Sequence, residues 1–461
     1  MEQICKKIFI NSPLFLRSAF INLITIADHR KKYGDYFNTY YHYLLNQNSE
    51  TQKQRALNEL EIFLKNIESH PFYAHVSYDV RDFPIINKQI VLNNYKILLH
   101  GKPFTYKSTS GTSGQRLIVP YSKEVFQKEY AFWWYHRSYE KIFPGDKVAM
   151  LAGHNVVSPK QKKPPYWLMD HTNNHLFFSS YHLSNLTIPS YLKKLNEFKP
   201  VLIHGYPSTI YLIARFILDN NVKLEFHPKM IITSSESTFD YQKNSIENAF
   251  SCKNYIWYGN TELCGHITEC SQGKLHLQDL HSYTRIINSN GKDAQNGEEG
   301  KIVSTNFTNT IFPLINYSTC DVVKVSTNQC CSCGNAGKII DYIIGRIENY
   351  IITPEGYWIG RLDHIFKYAN HIICAQIEQN TLNEIVIRIV KADFYTTSDE
   401  NTIIKETRNR IGPRMQINVD YVKEIPREKN GKFAFIVQKL NLNHLALNGE
   451  RSSHETNTAE F

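Results

Sequence analysis

What the chain lacks narrows its class first. The most apolar N-terminal stretch, Ile8 to Ala27, is interrupted by Asn11, Pro13, Arg17 and Asn22. A transmembrane helix needs about 20 predominantly apolar residues, and a secretory signal needs an unbroken apolar centre. Neither is expected, and the segment reads as an amphipathic helix packed on the protein, with contact at a membrane surface as the alternative. Internal repeats and low-complexity linkers are also missing, which argues against a repeat architecture. The 52 Lys and Arg against 43 Asp and Glu leave a net charge of only +9. These charges are scattered rather than gathered into a stripe, so no nucleic-acid partner is expected. Nine cysteines in 461 residues are too few for a disulfide scaffold. Their bunching at Cys330, Cys331 and Cys333 points instead to metal ligation in a reducing, cytoplasmic compartment.

What is present is ample core material: 42% hydrophobic and 13% aromatic residues, enough for two or three domains at this length. Residues 1–106 read as a helical part, with a long helix over Glu50 to Glu68 and breaks at His70-Pro71 and Phe83-Pro84. From 107 to 345, buried strands (Val148 to Leu151, Val201 to Ile203, Met230 to Ile232) alternate with helices (Ser190 to Glu197, Tyr211 to Leu218), the pattern of an α/β core. Residues 346–442 change texture. Strands at Glu384 to Val390, Ile417 to Val422 and Phe433 to Gln438 surround one helix, Asn401 to Ile411, as in a small α+β domain. A polar, disordered tail is expected over 443–461.

Chemistry-bearing residues recur at turns between these elements. Ser108, Thr109, Ser110, Gly111, Thr112, Ser113 and Gly114 form a hydroxyl- and glycine-rich loop before the strand-like Leu117-Ile118-Val119. Glycine lets backbone N–H groups approach phosphate oxygens, and hydroxyls add donors without bulk. It is not a Walker A loop, because Gln115 and Arg116 follow the second glycine. Tyr258-Gly259-Asn260-Thr261-Glu262 follows the strand-like Tyr255-Ile256-Trp257, where α/β sheets bind nucleotides. Asp321 follows Tyr317-Ser318-Thr319-Cys320 at another expected strand end. Gly345-Arg346-Ile347-Glu348-Asn349 and the turn around Lys432 complete the series.

In this order the five pieces resemble the adenylate-forming superfamily, which includes acyl-CoA synthetases, luciferases and peptide-synthetase adenylation domains. The likeness is to the phenylacetate-CoA-ligase branch with its capsular-polysaccharide members. Ile203 to Ser208 is similar to that branch's "hGYPS" segment, Thr233 to Glu236 to its "TSSE", and Glu269-Cys270 with His276 to its "EC…H". The resemblance implies a large adenylation domain of layered sheets and helices and a small, mobile C-terminal domain. It implies ATP, Mg²⁺ and a small carboxylic acid as partners, with acyl transfer to CoA or to an amine or hydroxyl of a surface-polysaccharide precursor. Ser110, Gly111, Thr112, Ser113 and Gly114, preceded by Ser108, would cradle phosphates. Tyr258 with Gly259 would lie against adenine, Thr261 would touch the α-phosphate and Glu262 would help hold Mg²⁺. Asp321, supported by Arg346, would take the ribose hydroxyls, and Lys432 would reach the reacting oxygens. The chain departs from the superfamily at Gln115, where a lysine is common, and at Asn349, where the hinge usually has an acid. A non-catalytic nucleotide-binding scaffold is the competing reading; retention of both Glu262 and Lys432 weighs against it.

Two further readings concern Cys and aromatic clusters. Cys270 with His276, and Cys331 with Cys333, offer the thiolate and imidazole ligands of a closed structural Zn²⁺ site, with Cys264 and Cys330 as substitutes. Among the many aromatics and histidines of the middle region, Gly153-His154 and Ser179 to His182 are the candidates for an acyl pocket.

Overall fold

The computed structural model describes residues 12, 14–73, 79–109, 116–154, 156–158, 161–346, 350–356, 358–359, 362–366, 371–428 and 431–440. Contacts divide the chain into two units. The first holds 1–288, 293–343 and 427–433, and the second holds 289–292, 344–426 and 434–461.

The first unit opens with three helices, α1 (Leu14–Lys32), α2 (Asp35–Leu45) and α3 (Ser49–Asn66). Asn48 starts α3 by accepting the Thr51 N–H while Thr51 returns a bond to the Asn48 N–H, a reciprocal cap that satisfies two otherwise orphaned donors. A two-stranded hairpin follows, β1 (Thr105–Ser108) and β2 (Ile118–Tyr121), then α4 (Lys123–Ser138).

Twelve strands build one sheet: β3 (Val148–Leu151), β4 (Trp167–Asp170), β5 (His175–Phe178), β6 (Leu202–Gly205), β7 (Met230–Ser234), β8 (Asn254–Tyr258), β9 (Ile267–Glu269), β10 (Leu275–Leu277), β11 (Tyr283–Ile287), β12 (Glu299–Asn306), β13 (Leu314–Val325) and β14 (Ile339–Arg346). Their order is β11-β12-β13-β14-β10-β9-β8-β7-β6-β3-β5-β4. The run β5-β3-β6-β7-β8 is parallel, and α5 (Ile188–Phe198), α6 (Pro207–Asp219) and α7 (Asp240–Phe250) connect its strands. Both faces of this half are covered, so its strands read as continuous apolar runs. Ala149, Leu151, Ile203 and Ile231 pack against α5, α6 and α7, while Val148, Leu202, Met230, Ile232 and Tyr255 pack against α2 and α4. On the β9 side, the pairs β8–β9, β9–β10, β10–β14, β11–β12 and β12–β13 are antiparallel.

The second unit has a hairpin, β15 (Ile351–Ile352) and β16 (Trp358–Ile359), and a four-stranded sheet. That sheet comprises β17 (Ile372–Thr381), β18 (Glu384–Lys391), β19 (Gln416–Tyr421) and β20 (Ile436–Gln438), in the order β19-β18-β17-β20. Helix α8 (Thr397–Ile411) covers it, contributing Ile403 and Ile411 to a core with Ile377, Ile385, Ile387 and Ile389.

The architecture is the expected α/β body with a small α+β unit, and two local expectations change. Asp321 does not end a strand. β13 continues through it to Val325, bent by register shifts against β12 and by left-handed backbone at Asn316 (φ 50°) and Cys320 (φ 63°), the local twist that bulges impose. Phe433 does not start a strand either: β20 begins at Ile436, because the Phe433 N–H is used elsewhere, on Glu236. The tail over 443–461 lies outside the described residues.

Candidate active site and metal centre

Three tyrosine hydroxyls gather the nucleotide-motif residues. Tyr258, at the end of β8, donates to Asp321 Oδ2 on β13 at 2.6 Å. Tyr317, also on β13, donates to Glu262 Oε1 at 2.9 Å, and Tyr121, at the end of β2, donates to the Thr261 carbonyl at 2.6 Å. Burial first, and then the neighbouring Asp321 or Glu262 carboxylate, pushes the Tyr258 and Tyr317 phenols up. Burial followed by Glu129 and Glu262 does the same to Tyr121. All three therefore stay protonated donors, and a hydrogen bond to a charged acceptor contributes about 1.5–3 kcal/mol. The Glu262 carbonyl also accepts from Asn306 Nδ2 at 2.9 Å. Three separate stretches of chain, near 121, 258–262 and 317–321, thus meet at one end of β8.

Tyr121 also ties in the hairpin that leads into and out of the hydroxyl-rich loop. Thr109 closes the base of that loop, its N–H bonding to the Leu117 carbonyl at 2.9 Å and its Oγ1 accepting the Leu117 N–H at 3.1 Å. Ser108 is exposed beside it. Ser110, Gly111, Thr112, Ser113 and Gly114, with Gln115, lie outside the described residues, as does Asn349; Arg346 is placed only by its backbone, at the end of β14.

A buried cluster lies under Gly259. His281 Nε2 and Glu129 Oε2 are 2.5 Å apart, His266 Nε2 and Glu129 Oε1 are 3.5 Å apart, and the two imidazole centroids are 3.9 Å apart. Burial alone would raise Glu129, but His281 and His266 together hold it well below the ordinary carboxylate range. Burial, then His281, lowers His266. A Cβ on Gly259 would sit 2.8 Å from His266 Nε2 and 3.2 Å from Trp257 Nε1. Glycine is thus the residue this turn can accept.

Lys432 belongs to a different constellation of the first unit. Arg427 Nη1 donates to Ser208 Oγ at 2.9 Å and to the Gly431 carbonyl at 3.1 Å. The Phe433 N–H donates to Glu236 Oε1 at 2.6 Å, and the Ser208 N–H to Glu236 Oε2 at 3.2 Å. Burial raises Glu236, with Arg427 and these N–H donors opposing it. Gly431 (φ 82°) adopts backbone that side chains rarely take, and a Cβ there would meet Gly153 Cα at 3.0 Å, and Ser180 Oγ and Tyr181 Cζ at 3.1 Å. The half-buried Lys432 is thereby carried on a turn held by Ser208 and Glu236, against the residues expected to line an acyl pocket. In that pocket wall, Ser179 Oγ and His182 Nδ1 lie 2.8 Å apart, with His182 Nε2 3.1 Å from the Ser158 carbonyl.

The Cys and His residues form a separate centre. The ligand atoms of Cys270, His276, Cys331 and Cys333 all lie within 4.8 Å of one another. Cys270 Sγ and Cys331 Sγ are 3.7 Å apart, and Cys333 Sγ and His276 Nε2 are 3.4 Å apart. A tetrahedral Zn²⁺, with bonds of about 2.3 Å to sulfur and about 2.05 Å to nitrogen, sets such atoms roughly 3.8 Å and 3.5 Å apart. A disulfide needs about 2.05 Å, far shorter than the 3.7 Å between the Cys270 and Cys331 sulfurs. His276 Nδ1 lies 3.0 Å from the Gly337 carbonyl, which as an acceptor fixes the proton there and leaves Nε2 for a ligand,. The Asn335 N–H points at Cys333 Sγ at 3.4 Å, and the Ala336 N–H is tied to Gln52 of α3 at 3.2 Å. Of the substitutes, Cys264 is buried with its thiol 3.5 Å from the Glu262 carbonyl, and Cys330 is exposed.

Sequence reasoning missed Glu129, His266, His281, Glu236 and Arg427 as members of these constellations. Ser208 and Glu236 had a signal, since they lie in the two branch-like segments. Glu129, His266 and His281 had none.

The fold is that of adenylate-forming ligases: 2-hydroxyisobutyryl-CoA ligase in the postadenylation state, in complex with R3-HIB-AMP, superposes with a TM-score of 0.65 at 15% identity, covering 87% of this chain and 91% of that one. At the level of sequence the chain is similar to protein CapK of Staphylococcus aureus, 27% identical over 414 residues and 88% of each chain. Residues 351–439 match the family model for the CapK C-terminal domain. A more distant likeness, 23% over 273 residues, covers 52% of this chain and 60% of the phenylacetate-coenzyme A ligase of Thermus thermophilus. These likenesses support a resemblance to the adenylate-forming superfamily and its capsular branch.

Proposed function

We propose that the protein is an AMP-forming ligase that activates a carboxylic acid with ATP as an acyl-adenylate and passes the acyl group to an acceptor. The observation that carries this reading is the set of three tyrosine hydroxyls that assemble Thr261, Glu262 and Asp321 beside the hairpin of the hydroxyl-rich loop. A substrate carboxylate attacking the α-phosphorus meets like charge, so catalysis requires positive charge where the attacking and leaving oxygens accumulate it. Lys432 is the group for that task, and its turn is fixed by Glu236, Ser208 and Arg427. Ser108 and the loop Ser110–Gly114, backed by backbone N–H groups, bind phosphates. Tyr258 and Gly259 face adenine, and Asp321 with Arg346 takes the ribose. Glu262 would hold Mg²⁺, which when bound supplies charge neutralisation on the phosphates. Cys270, His276, Cys331 and Cys333 would hold a structural Zn²⁺, joining β9–β10 to the loop before β14. Residues 346–442 act as the small domain.

CoA is the first acceptor to test, and an amine or hydroxyl of a surface-polysaccharide precursor is the second. ATP–pyrophosphate exchange with a panel of carboxylic acids separates the readings. Acid-dependent exchange is expected, with Lys432→Ala losing about a hundredfold or more, the scale of removing one charge-stabilising group. Exchange without CoA consumption selects the second acceptor class. ATP binding without exchange for any acid would overturn the ligase reading in favour of a nucleotide-binding scaffold.

A further inference from the structure

Helix α1 is packed with its polar side inward. Arg17 Nη1 donates to the Val156 carbonyl at 3.2 Å, and Asn22 spans to β4 and the turn after it, donating to the Met169 carbonyl at 3.3 Å and accepting the His171 N–H at 2.7 Å. Thr25 Oγ1 lies 3.3 Å from Thr172 Oγ1, and His29 Nδ1 lies 2.9 Å from Asn173 Oδ1. β4 is the last strand of the twelve-stranded sheet, and an edge presents backbone groups that need partners. The polar face of α1 supplies one of them, together with partners for the turn beyond. The consequence falls on the other face: Leu16, Phe20, Leu23, Ile24 and Ile26 are between 46% and 68% exposed. Leu16, Phe20, Leu23 and Ile24 are spaced i, i+4, i+7, i+8, one stripe of a helix.

We propose that this stripe seats the protein on an anionic lipid surface. A solvent-facing apolar patch of this kind marks an interaction site, and three features choose the occupant. The stripe runs along the outside of a single helix, a convex surface that fits a soft, flat phase. Its C-terminal end carries exposed Arg30 and Lys31, while the helix's Asp28 is paired with Lys32 at 3.5 Å. The margin is therefore cationic, the pattern of helices that lie in the headgroup layer. A second copy of the chain is the weaker occupant, because such a stripe buries roughly 500 Å² per partner, short of the about 800 Å² of a stable interface. No helix among the described residues is long and apolar enough to cross a membrane, so the contact is with one leaflet.

Co-sedimentation of the full-length chain with vesicles tests the proposal. Binding to phosphatidylglycerol-rich vesicles is expected to be at least about tenfold tighter than to phosphatidylcholine alone, the size that two basic residues near a charged surface supply. Phe20→Asp with Leu23→Asp is expected to abolish binding while melting temperature and ATP binding hold. If that pair fails to fold, Phe20→Ser with Leu23→Ser gives the same readout. Arg30→Glu with Lys31→Glu should bring anionic binding down to the neutral-vesicle level. Absence of binding to anionic vesicles, or binding that ignores the substitutions at 20 and 23, overturns it. So does a wild-type dimer that the same substitutions split, or vesicle binding that arises only after residues 1–11 are removed.

Discussion

Two clusters in the first unit both gather histidine with potential metal-ligating side chains and are built for opposite ends. In Cys270, His276, Cys331 and Cys333, the ligand atoms all lie within 4.8 Å of one another at separations that tetrahedral ligands take, and His276 spends Nδ1 on the Gly337 carbonyl, which leaves Nε2 for a ligand. In Glu129, His266 and His281, both Nε2 atoms turn to the carboxylate, one at 2.5 Å, which leaves no room for an ion between them. Among the described residues, neither Nδ1 atom there has a hydrogen-bond partner, whereas metal-bound histidines almost always give the other nitrogen a partner. The first cluster has the form of a metal site. The second is a closed ion-pair cluster that fills the space beneath Gly259. Thiols distinguish the first cluster from the second, and so does the direction in which each ring nitrogen is committed.

The comparison breaks hardest at a thiol. Cys331→Ser is expected to lose near-stoichiometric zinc by elemental analysis. It should also lower stability by about 4 kcal/mol, the linkage expected for a ligand present at a thousandfold over its Kd; a chelator should do the same to the wild type and nothing to the variant. Purified protein without zinc would remove the distinction between the clusters. Glu129→Gln is expected to cost about 2–3 kcal/mol in chemical denaturation, the scale of leaving buried polar partners unsatisfied, with zinc content unchanged.

Acid should then act on the ion cluster and its surroundings. Burial lowers His136 to about 3 and His154 and His175 to about 4. These groups stay neutral when folded but take up protons near pH 6.5 when unfolded, so stability falls as pH drops from about 6.5 towards 4. Glu129, held below its ordinary value, adds stability that is present above about pH 4.5 and lost below it,. Thermal melts from pH 8 to 4 should show this slope, and His175→Gln should flatten part of it. The smallest effect is expected at the nucleotide motif. Tyr258→Phe removes one hydroxyl from Asp321 and should raise the KM for ATP about three- to tenfold in the exchange assay, matching about 1 kcal/mol.

Much of the fold was readable in advance. The apolar runs at 148, 202 and 230 became β3, β6 and β7 because strands buried on both faces must be apolar throughout. The helix expected over Glu50 to Glu68 appears as Ser49–Asn66, started by a local cap. The antiparallel strands were harder to read. β13 bends twice without breaking, and a bend looks like an end when only side-chain pattern is available, so the sequence pattern alone sets Asp321 at a strand terminus. Phe433 has the apolar, aromatic character of a strand residue, but its N–H is taken by Glu236, a partner 197 residues away.

The same division runs through the candidate sites. Sequence alone determined which residues carry unusual chemistry at short range: the hydroxyl-glycine loop, the Tyr258-to-Glu262 turn, and the paired Cys and His with their close spacing. Those signals are local because turns and metal knuckles are made of neighbours. Only the tertiary structure decided which of these residues meet. Tyr121, Tyr258 and Tyr317 are ordinary buried tyrosines until their hydroxyls find Thr261, Asp321 and Glu262, and Glu129 is an ordinary helix residue until two histidines more than 130 positions away close over it. The outward face of α1 belongs to the second kind as well. Its composition announced an amphipathic helix, but which side faces in was decided by the polar partners that the sheet edge and the turn beyond it required.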